Sequence, residues 1–294
     1  MFFEISAGKY KATVTAEGAG LASLTHDGRN LILPHDPGEQ PSGFNGRVLV
    51  PWPNRIAGGT YVFEGRLLSV PINEPDRNAA LHGLQCWNDW ELVKQDGHSV
   101  QLRVLTGPTD GYPFKLETRI RYSLDALLGL HIEISSSNVG EDPAPYGTGT
   151  HAYLTCDGAS IDQCVLTVPA SQVAMTDQNL IPTGLAPVDD TQFDLREGRV
   201  LKGVSLDHAF TGIQLEPDSK TWQVSLKDTE SGMIVALTSD EPWLQIFTAE
   251  PQDRRGVAVE PMTCPPNAFN TGQDLVVLAP GMTHTHWLRI FETV

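Results

Sequence analysis

Alternation of apolar and polar residues constrains this chain more than any other feature, because it recurs along most of the sequence. Clear examples are KYKATVTAEG, SVQLRVLTG, KLETRIRYSL, LHIEISSSNVG and TWQVSLKD. A period of two places successive side chains on opposite faces of a strand, so each stretch predicts a strand with one buried face. The sequence therefore predicts an all-β fold of antiparallel strands.

Turn residues join these strands into hairpins. Asp27-Gly28, Glu64-Gly65 and Asp96-Gly97 lie between alternating runs, at positions where tight hairpins need a positive φ. Long helical periodicity is absent, and the sequence allows only a turn or two of helix near residues 76–80 and 171–177. These patterns predict a large antiparallel β-sandwich.

Length and charge narrow the classes of protein that remain. The 294 residues show no shift in composition, repeat or low-complexity tract, so residues 1–294 are predicted to form a single domain. The formal net charge of −16 argues against nucleic acid or an anionic membrane as partner, since both need clustered Lys and Arg. No apolar run spans a bilayer and the N-terminus resembles no export signal, which favours a cytoplasmic protein, either a monomer or a homodimer.

Glu260 poses a specific question, because VAVEPM carries an apolar run directly into a carboxylate. A strand interior is a costly place for a charge. Glu260 is therefore either a solvated cap at the end of a strand or a group at the rim of a site, and strand ends are normally wet.

The loops between the predicted strands contain further candidate site residues. VPWPNRIAGG holds Asn54 and Arg55 between a proline-stiffened entry and a glycine pair, which suits a bidentate donor. Each remaining loop offers one or two polar groups that mean little alone: His82 in ALHGLQCWNDW, His151 in PAPYGTGTHAYL, and Asp207 with His208 in SLDHAFTG.

Taken in order, these pieces resemble the aldose 1-epimerase family, also called galactose mutarotases. The resemblance runs from about Gly46 to the C-terminus and depends on NRIAGG, LHG with a downstream Trp, THAYL, LDHAF, VEP, PNAFN and LAPGMTHTHWLRI. It implies a galactose mutarotase-like β-sandwich with a site for a small-molecule sugar on a concave face, and no metal or other cofactor.

The resemblance also implies roles for individual residues. Glu260 matches the family's general base, His151 its general acid and His82 its second site histidine, while Arg55, with the adjacent Asn54, and Asp207 match residues that hold sugar hydroxyls. Mutarotation removes the proton of the anomeric hydroxyl and protonates the ring oxygen, so the C1–O5 bond opens to an aldehyde and recloses. Glu260 and His151 are expected on opposite sides of the pyranose, with Arg55 keeping Glu260 ionised. Trp52, Trp87 and Phe247 are candidates for stacking on the sugar, although core packing is the default expectation for each.

The cysteines give one further expectation. Cys86, Cys156 and Cys264 follow His82, His151 and Glu260 by four or five positions, and no zinc-type spacing joins them to Cys164. Reduced thiols that take no part in the chemistry are predicted, with at least one near the rim of the site.

Several alternatives stay open. Leu84 and the segment WPNR depart from the family pattern near the sugar's far hydroxyls, so the natural aldose is not fixed and a modified or phosphorylated hexose is one possibility, although no basic cluster favours it. The fold also suits a non-catalytic carbohydrate-binding protein, or a glycoside hydrolase that works through Asp207 and Glu260. His284 and His286 could serve a metal, but a solvated terminal strand face is the simpler interpretation.

Overall fold

The computed structural model of the chain describes residues 1–293 and is 51% strand and 5% helix. The strands are, in chain order, β1 (Phe2–Ala7), β2 (Tyr10–Thr15), β3 (Leu21–His26), β4 (Arg29–Asn30), β5 (Val48–Leu49), β6 (Arg55–Ala57), β7 (Thr60–Phe63), β8 (Arg66–Ser69), β9 (Ala79–Leu81), β10 (Glu91–Gln95), β11 (Ser99–Thr106), β12 (Leu116–Asp125), β13 (Gly129–Asn138), β14 (Ala144–Tyr146), β15 (Gly149–Thr150), β16 (Tyr153–Leu154), β17 (Cys164–Thr167), β18 (Ala170–Thr176), β19 (Pro182–Pro187), β20 (Arg199–Val200), β21 (Asp207–Ile213), β22 (Trp222–Asp228), β23 (Ile234–Ser239), β24 (Trp243–Phe247), β25 (Val257–Met262), β26 (Val276–Leu278) and β27 (Thr283–Thr293).

Helical segments are short. They comprise one α-helical turn, α1 (Ala268–Thr271), and the 3-10 turns Ser42–Phe44, Pro75–Arg77, Ile161–Gln163 and Glu250–Gln252. Within residues 1–293, no helix is long and apolar enough to cross a membrane.

Two large antiparallel sheets dominate the architecture. One contains nine strands in the order β10-β11-β12-β13-β27-β23-β22-β17-β20. The other contains eight strands, in the order β19-β18-β21-β24-β25-β15-β5 with β16 paired to β25. The hairpin series β1-β2-β3-β4 forms a further four-stranded sheet. This architecture confirms the predicted all-β fold.

The main hydrophobic core is formed by side chains from one face of each large sheet. Strand β25 contributes Val257 and Val259 to this core, while Ala258 and Met262 pack into two smaller clusters on its other side. Because side chains alternate along a strand, Glu260 shares the face of Ala258 and Met262 and points away from the main core. The site is built on this second face of the eight-stranded sheet.

The five quoted stretches of alternating sequence all form strands, which are β2, β11, β12, β13 and β22. Hairpin turns lie at all three predicted dipeptides, and Asp27, Gly28, Glu64 and Gly65 have the expected positive φ. The Asp96-Gly97 turn differs. Its geometry depends on the Asp96 carboxylate, which accepts from the N–H groups of His98 and Ser99 at 3.0 and 2.8 Å.

One of the two predicted helical stretches is wrong. Residues 75–77 form a 3-10 turn that overlaps the predicted 76–80, but residues 170–176 form strand β18. Ala170, Val173 and Ala174 are buried at a helix-like spacing because both faces of β18 are covered. Val173 joins the main core, and Ala174 packs with Ala209, Trp243 and Met262 on the opposite face.

The solvated strand face predicted for the HTH stretch is also wrong. His286 is fully buried, and its Nδ1 lies 2.8 Å from a carboxylate oxygen of Glu241. His284 is half-buried and lies against the Tyr146 ring at 5.8 Å between centroids. These imidazoles are part of the packing between strands rather than a solvent-facing pair.

Candidate active site

A cleft of about 350 Å³ opens over the second face of the eight-stranded sheet, a volume in the range of small-ligand sites. Most of its lining residues are polar or charged, and aromatic rings lie between them. The lining residues are Gly43, Phe44, Asn54, Arg55, Glu74, Arg77, Leu81, His82, His151, Tyr153, Asp207, Gln245, Phe247, Gln252 and Glu260. Every residue that the sequence nominated for catalysis or for holding the sugar lines this cleft, whereas His208 and the stacking candidates Trp52 and Trp87 do not.

Strand pairing explains how the floor of the cleft is assembled. Glu260 of β25 is paired with Gln245 of β24, and Asp207 of β21 is paired with Phe247 of β24. Residues opposite one another in an antiparallel pair share a face. His208 is one position out of phase with Asp207, so it points to the other face, where its ring packs against Phe193 at 4.7 Å between centroids.

Glu260 lies inside strand β25 and is 1% exposed. The solvated cap considered from the sequence is therefore wrong. Its Oε2 atom has no hydrogen-bond partner within the described chain. A buried carboxyl oxygen without a partner is costly, which indicates that a ligand supplies the missing hydrogen bond.

His82 is held in one tautomer by Asn54. The backbone N–H of Asn54 donates to the ring atom Nδ1 of His82 at 3.2 Å. The backbone N–H of His82 donates in return to the Asn54 carbonyl at 2.9 Å. Because Nδ1 accepts, the neutral ring carries its proton on Nε2 and acts there as a donor. Gly83 is required next to His82, since a Cβ at this position would lie 2.0 Å from the Val50 carbonyl oxygen.

His151 lies beside Glu260 at the end of β15. Its Nε2 is 3.4 Å from Oε1 of Glu260, and its ring stacks on Tyr153 at 5.0 Å between centroids. This separation leaves no space for a sugar ring between the two groups, so the prediction that they face each other across the pyranose is wrong.

Arg55 is fixed by contacts on three sides. Glu74 accepts two hydrogen bonds, from Nε at 2.7 Å and from Nη2 at 2.9 Å. Asp207 lies 3.8 Å from Nη2. The backbone is held from the PNAFN stretch, where the Asn267 N–H donates to the Arg55 carbonyl at 2.6 Å. Arg55 is 7% exposed, so most of its charge is met by protein groups rather than water.

Burial shifts the proton affinities of the central pair in opposite directions. It raises the pKa of Glu260 well above its ordinary value, an effect that Asp207 strengthens and Arg55 only partly offsets. Burial lowers the pKa of His151 to about 3. Arg55 does lower the pKa of Glu260, as the sequence predicted, but burial and Asp207 outweigh it.

The same groups raise the question of a metal, because ligand atoms of His82, His151 and Glu260 lie within 4.8 Å of one another. A metal-bound imidazole normally donates its second N–H to an acceptor. The Nδ1 atom of His82 instead accepts from the Asn54 N–H, so its Nε2 carries a proton and has no lone pair for an ion. The donor set fits a hydroxyl-rich ligand better than a cation.

Sequence reasoning missed several lining residues, notably Phe44, Glu74, Arg77, Tyr153 and Gln245. Gln245 is two positions before Phe247 in β24, so alternation from Phe247 could have identified it. No sequence signal marks Phe44, which follows a glycine and has a φ of 55°. Its ring meets the His82 ring edge-on at 4.7 Å.

The three aromatic residues considered for stacking differ in whether they line the cleft. Phe247 lines the cleft as predicted, whereas Trp52 and Trp87 do not. Trp52 is buried against Phe269, and Trp87 lies beneath the Arg47 guanidinium at 4.8 Å. Phe44 and Tyr153 are the aromatic residues that join Phe247 at the wall of the cleft.

The cysteines do not reach the rim, so that prediction is also wrong. All four thiols are free and buried, and the cleft lining includes none of them. The Cys86 thiol donates to the His82 carbonyl at 2.9 Å, and burial raises its pKa to about 12. Cys86 therefore supports His82 from behind.

Maleimide should consequently not react with the folded protein. Thiolate is the reactive form. Burial denies a reagent access to all four thiols, and it also raises the pKa of Cys86, Cys164 and Cys264. Mass spectrometry after brief treatment with N-ethylmaleimide should show no adduct on native protein and four adducts after unfolding. Sugar-protected labelling of Cys86, Cys156 or Cys264 in the native state would instead restore the rim placement.

Known proteins resemble this chain in sequence and in fold. A model of the family described as aldose 1-epimerase matches residues 1–290. The uncharacterized protein YihR of Escherichia coli (strain K12) is 41% identical over 287 residues, which cover 98% of this chain and 92% of that protein. Galactose mutarotase of Rattus norvegicus is 27% identical and covers 85% of this chain and 80% of its own length. The crystal structure of a GalM/aldose epimerase homologue from C. elegans superposes with a TM-score of 0.89 at 25% identity, covering 100% of this chain and 98% of the other.

Proposed function

This chain belongs to the aldose 1-epimerase family, whose activity is of the epimerase type, and we propose that it interconverts the α and β anomers of an aldose. The reaction opens the C1–O5 bond to an aldehyde and recloses it on the other face of C1. The observation that carries the proposal is the Glu260–His151 pair, 3.4 Å apart and buried in a cleft of sugar size. We also propose that residues 1–294 act as one domain, because the cleft is lined by residues from Gly43 to Glu260.

Ring opening uses one proton arrangement of the pair. Glu260 as carboxylate removes the proton of the anomeric hydroxyl, and His151 as imidazolium delivers a proton to the ring oxygen. The electron pair of the breaking C1–O5 bond goes to O5, and a lone pair of O1 forms the carbonyl.

Ring closure uses the other arrangement. Once the ring is open, Glu260 holds a proton and His151 is neutral, which is the arrangement that burial favours in the empty cleft. After rotation about C1–C2, His151 takes the O5 proton as O5 attacks C1, and Glu260 returns its proton to O1. The pair is thereby restored, so no proton needs to come from solvent during a turnover.

The surrounding groups hold the sugar. His82 Nε2–H is a donor, while Asp207 offers carboxylate oxygens and Gln245 a free amide oxygen that is buried and unpartnered. Gln245 also donates to Asp207 at 2.6 Å, which fixes both side chains. Phe44 and Phe247 supply apolar surface for the C–H faces of a pyranose.

Polarimetry tests this function and its substrate together. Freshly dissolved α-anomers of a panel of aldoses should approach their equilibrium rotation faster with catalytic protein than without it. The panel includes hexoses with an anionic group at C6, because Arg77 also lines the cleft. Binding of a sugar without acceleration of any member would support a carbohydrate-binding protein, and release of sugar from aryl glycosides would support a hydrolase.

The pH dependence of kcat/KM should be a broad plateau. The profile reports the free enzyme, whose active form carries one proton on the Glu260–His151 pair. Adding a second proton requires His151, whose pKa is lowered to about 3, so the acid limb should lie well below the ordinary range of histidine. Removing the last proton requires Glu260, whose pKa is raised, so the alkaline limb should lie above the ordinary range of glutamate. A narrow optimum bounded by unshifted values in stopped-flow polarimetry would contradict this account.

A further inference from the structure

Glu74 lines the cleft, yet neither the sequence motifs nor the proposed reaction gives it a role. It lies between β8 and β9, where its N–H donates to the Ala79 carbonyl at 3.1 Å and its carbonyl accepts from the Ala79 N–H at 3.2 Å. Its side chain is 21% exposed. This backbone pairing fixes the Cα position of Glu74 at the wall of the cleft.

The carboxylate of Glu74 makes the closest contacts to the guanidinium of Arg55. Its two oxygens accept from Nε and Nη2 at 2.7 and 2.9 Å, whereas Asp207 stands 3.8 Å from Nη2. A bidentate pair fixes the plane of a guanidinium as well as its distance. The position of the Arg55 charge in the cleft is therefore set chiefly by Glu74.

That charge acts on Glu260. The charged and titratable groups whose effects bear on Glu260 are Arg55, Asp207, His82, His151 and Tyr153. Arg55 is the cation among them that favours ionised Glu260. In a buried site such an interaction is strong, so a carboxylate that neutralises Arg55 weakens its pull on the Glu260 proton.

We propose that Glu74 is a positioning residue, which fixes the guanidinium of Arg55 and offsets its charge so that Glu260 retains the proton it returns to the sugar. This role rests on the proposed anomer interconversion. It makes Glu74 part of the acid–base balance of the site although it does not exchange a proton with the sugar.

A titration that needs no substrate tests the electrostatic part. Protein labelled with ¹³C at the glutamate carboxyl carbons is titrated by NMR, with Glu260→Gln used to assign the Glu260 signal. In Glu74→Gln, loss of the nearer negative charge leaves Arg55 offset only by the more distant Asp207, so the pKa of Glu260 should fall relative to the unsubstituted protein. Asp76→Asn is the matched control, because it removes one charge from an exposed position two residues away and should leave the titration unchanged.

Kinetics test the part that concerns the reaction. The alkaline limb of kcat/KM in Glu74→Gln should move to lower pH by about one unit, since the effect passes through one charged neighbour. Glu74→Asp keeps the negative charge on a shorter side chain, so the alkaline limb should stay in place. Its kcat/KM should nevertheless fall by about tenfold, because the Arg55 guanidinium is held less firmly. A merely structural Glu74 would lower the rate or the melting temperature without moving the limb.

The possible outcomes separate this inference from the proposed function. An unchanged Glu260 titration in Glu74→Gln overturns the role of Glu74 whether or not any sugar is turned over. A lowered Glu260 titration in a protein that accelerates no aldose leaves Glu74's electrostatic role standing and removes the proposed function. The inference would also be overturned if the pKa of Glu260 fell in Glu74→Gln while the alkaline limb of kcat/KM did not move.

Discussion

Glu260→Gln should lose about 10²–10⁴-fold in the rate of anomer interconversion, the usual contribution of a positioned acid–base group. Glutamine keeps the shape of the side chain but cannot accept the proton of the anomeric hydroxyl. Sugar binding should change far less than turnover, because the lost interaction belongs to the transition state. Initial-rate polarimetry on the best aldose of the panel measures the effect.

Glu133→Gln is the matched control for that experiment, since it makes the same substitution at an exposed position of β13 in the other large sheet. It should retain full activity. Glu260→Gln should also melt no lower than the unsubstituted protein, because it removes an ionisable group from a buried site. Near-normal turnover in a folded Glu260→Gln variant would exclude Glu260 from the mechanism.

His151 and His82 should respond differently to the same substitution. His151→Asn removes the group that protonates the ring oxygen, so the rate should fall about 10²–10⁴-fold. His82→Asn removes a donor fixed by the Asn54 N–H, so a loss of about tenfold to a hundredfold, mainly in KM, is expected. Polarimetry over a range of sugar concentrations separates the two effects.

His98→Asn, at an exposed position, controls for the substitution itself. The double variant Glu260→Gln with His151→Asn should be little worse than either single variant, because the two groups act as one unit. Equal and complete loss in His82→Asn and His151→Asn would show that both imidazoles transfer protons, contrary to the division proposed here.

The strands were predictable because their pattern is local. Alternation identified β11, β12 and β13 directly, and Asp-Gly or Glu-Gly dipeptides located the hairpins between neighbouring strands. Strand β18 was missed because the adjacent residues Val173 and Ala174 are buried on opposite faces, which interrupts the alternation and, with buried Ala170, leaves a spacing that resembles a helix.

The candidate site was only partly predictable, because its geometry depends on pairing between distant strands. The sequence nominated Asp207, Phe247 and Glu260 separately, but only the registers of β21, β24 and β25 bring them onto one face. Glu260 looked like a strand end since Pro261 follows it. The strand nevertheless continues to Met262, and Glu260 is buried where it lines the cleft.

Electrostatic balance was the least predictable property. The sequence suggested that Arg55 ionises Glu260, because it gave no indication that Glu74 engages the same guanidinium. Burial, which depends on the packed structure, then outweighs Arg55 and raises the pKa of Glu260. The side-by-side arrangement of Glu260 and His151 likewise follows from tertiary packing rather than from any motif.

Exchange NMR at anomeric equilibrium tests the central claim most directly, because it detects interconversion without net change in the sample. With a catalytic amount of protein, cross-peaks should connect the α and β anomeric protons of the preferred aldose within a mixing time too short for spontaneous exchange. They should vanish with Glu260→Gln and with His151→Asn while saturation-transfer signals still report sugar binding. Cross-peaks of undiminished intensity in either variant, or binding without exchange in the unsubstituted protein, would contradict the account.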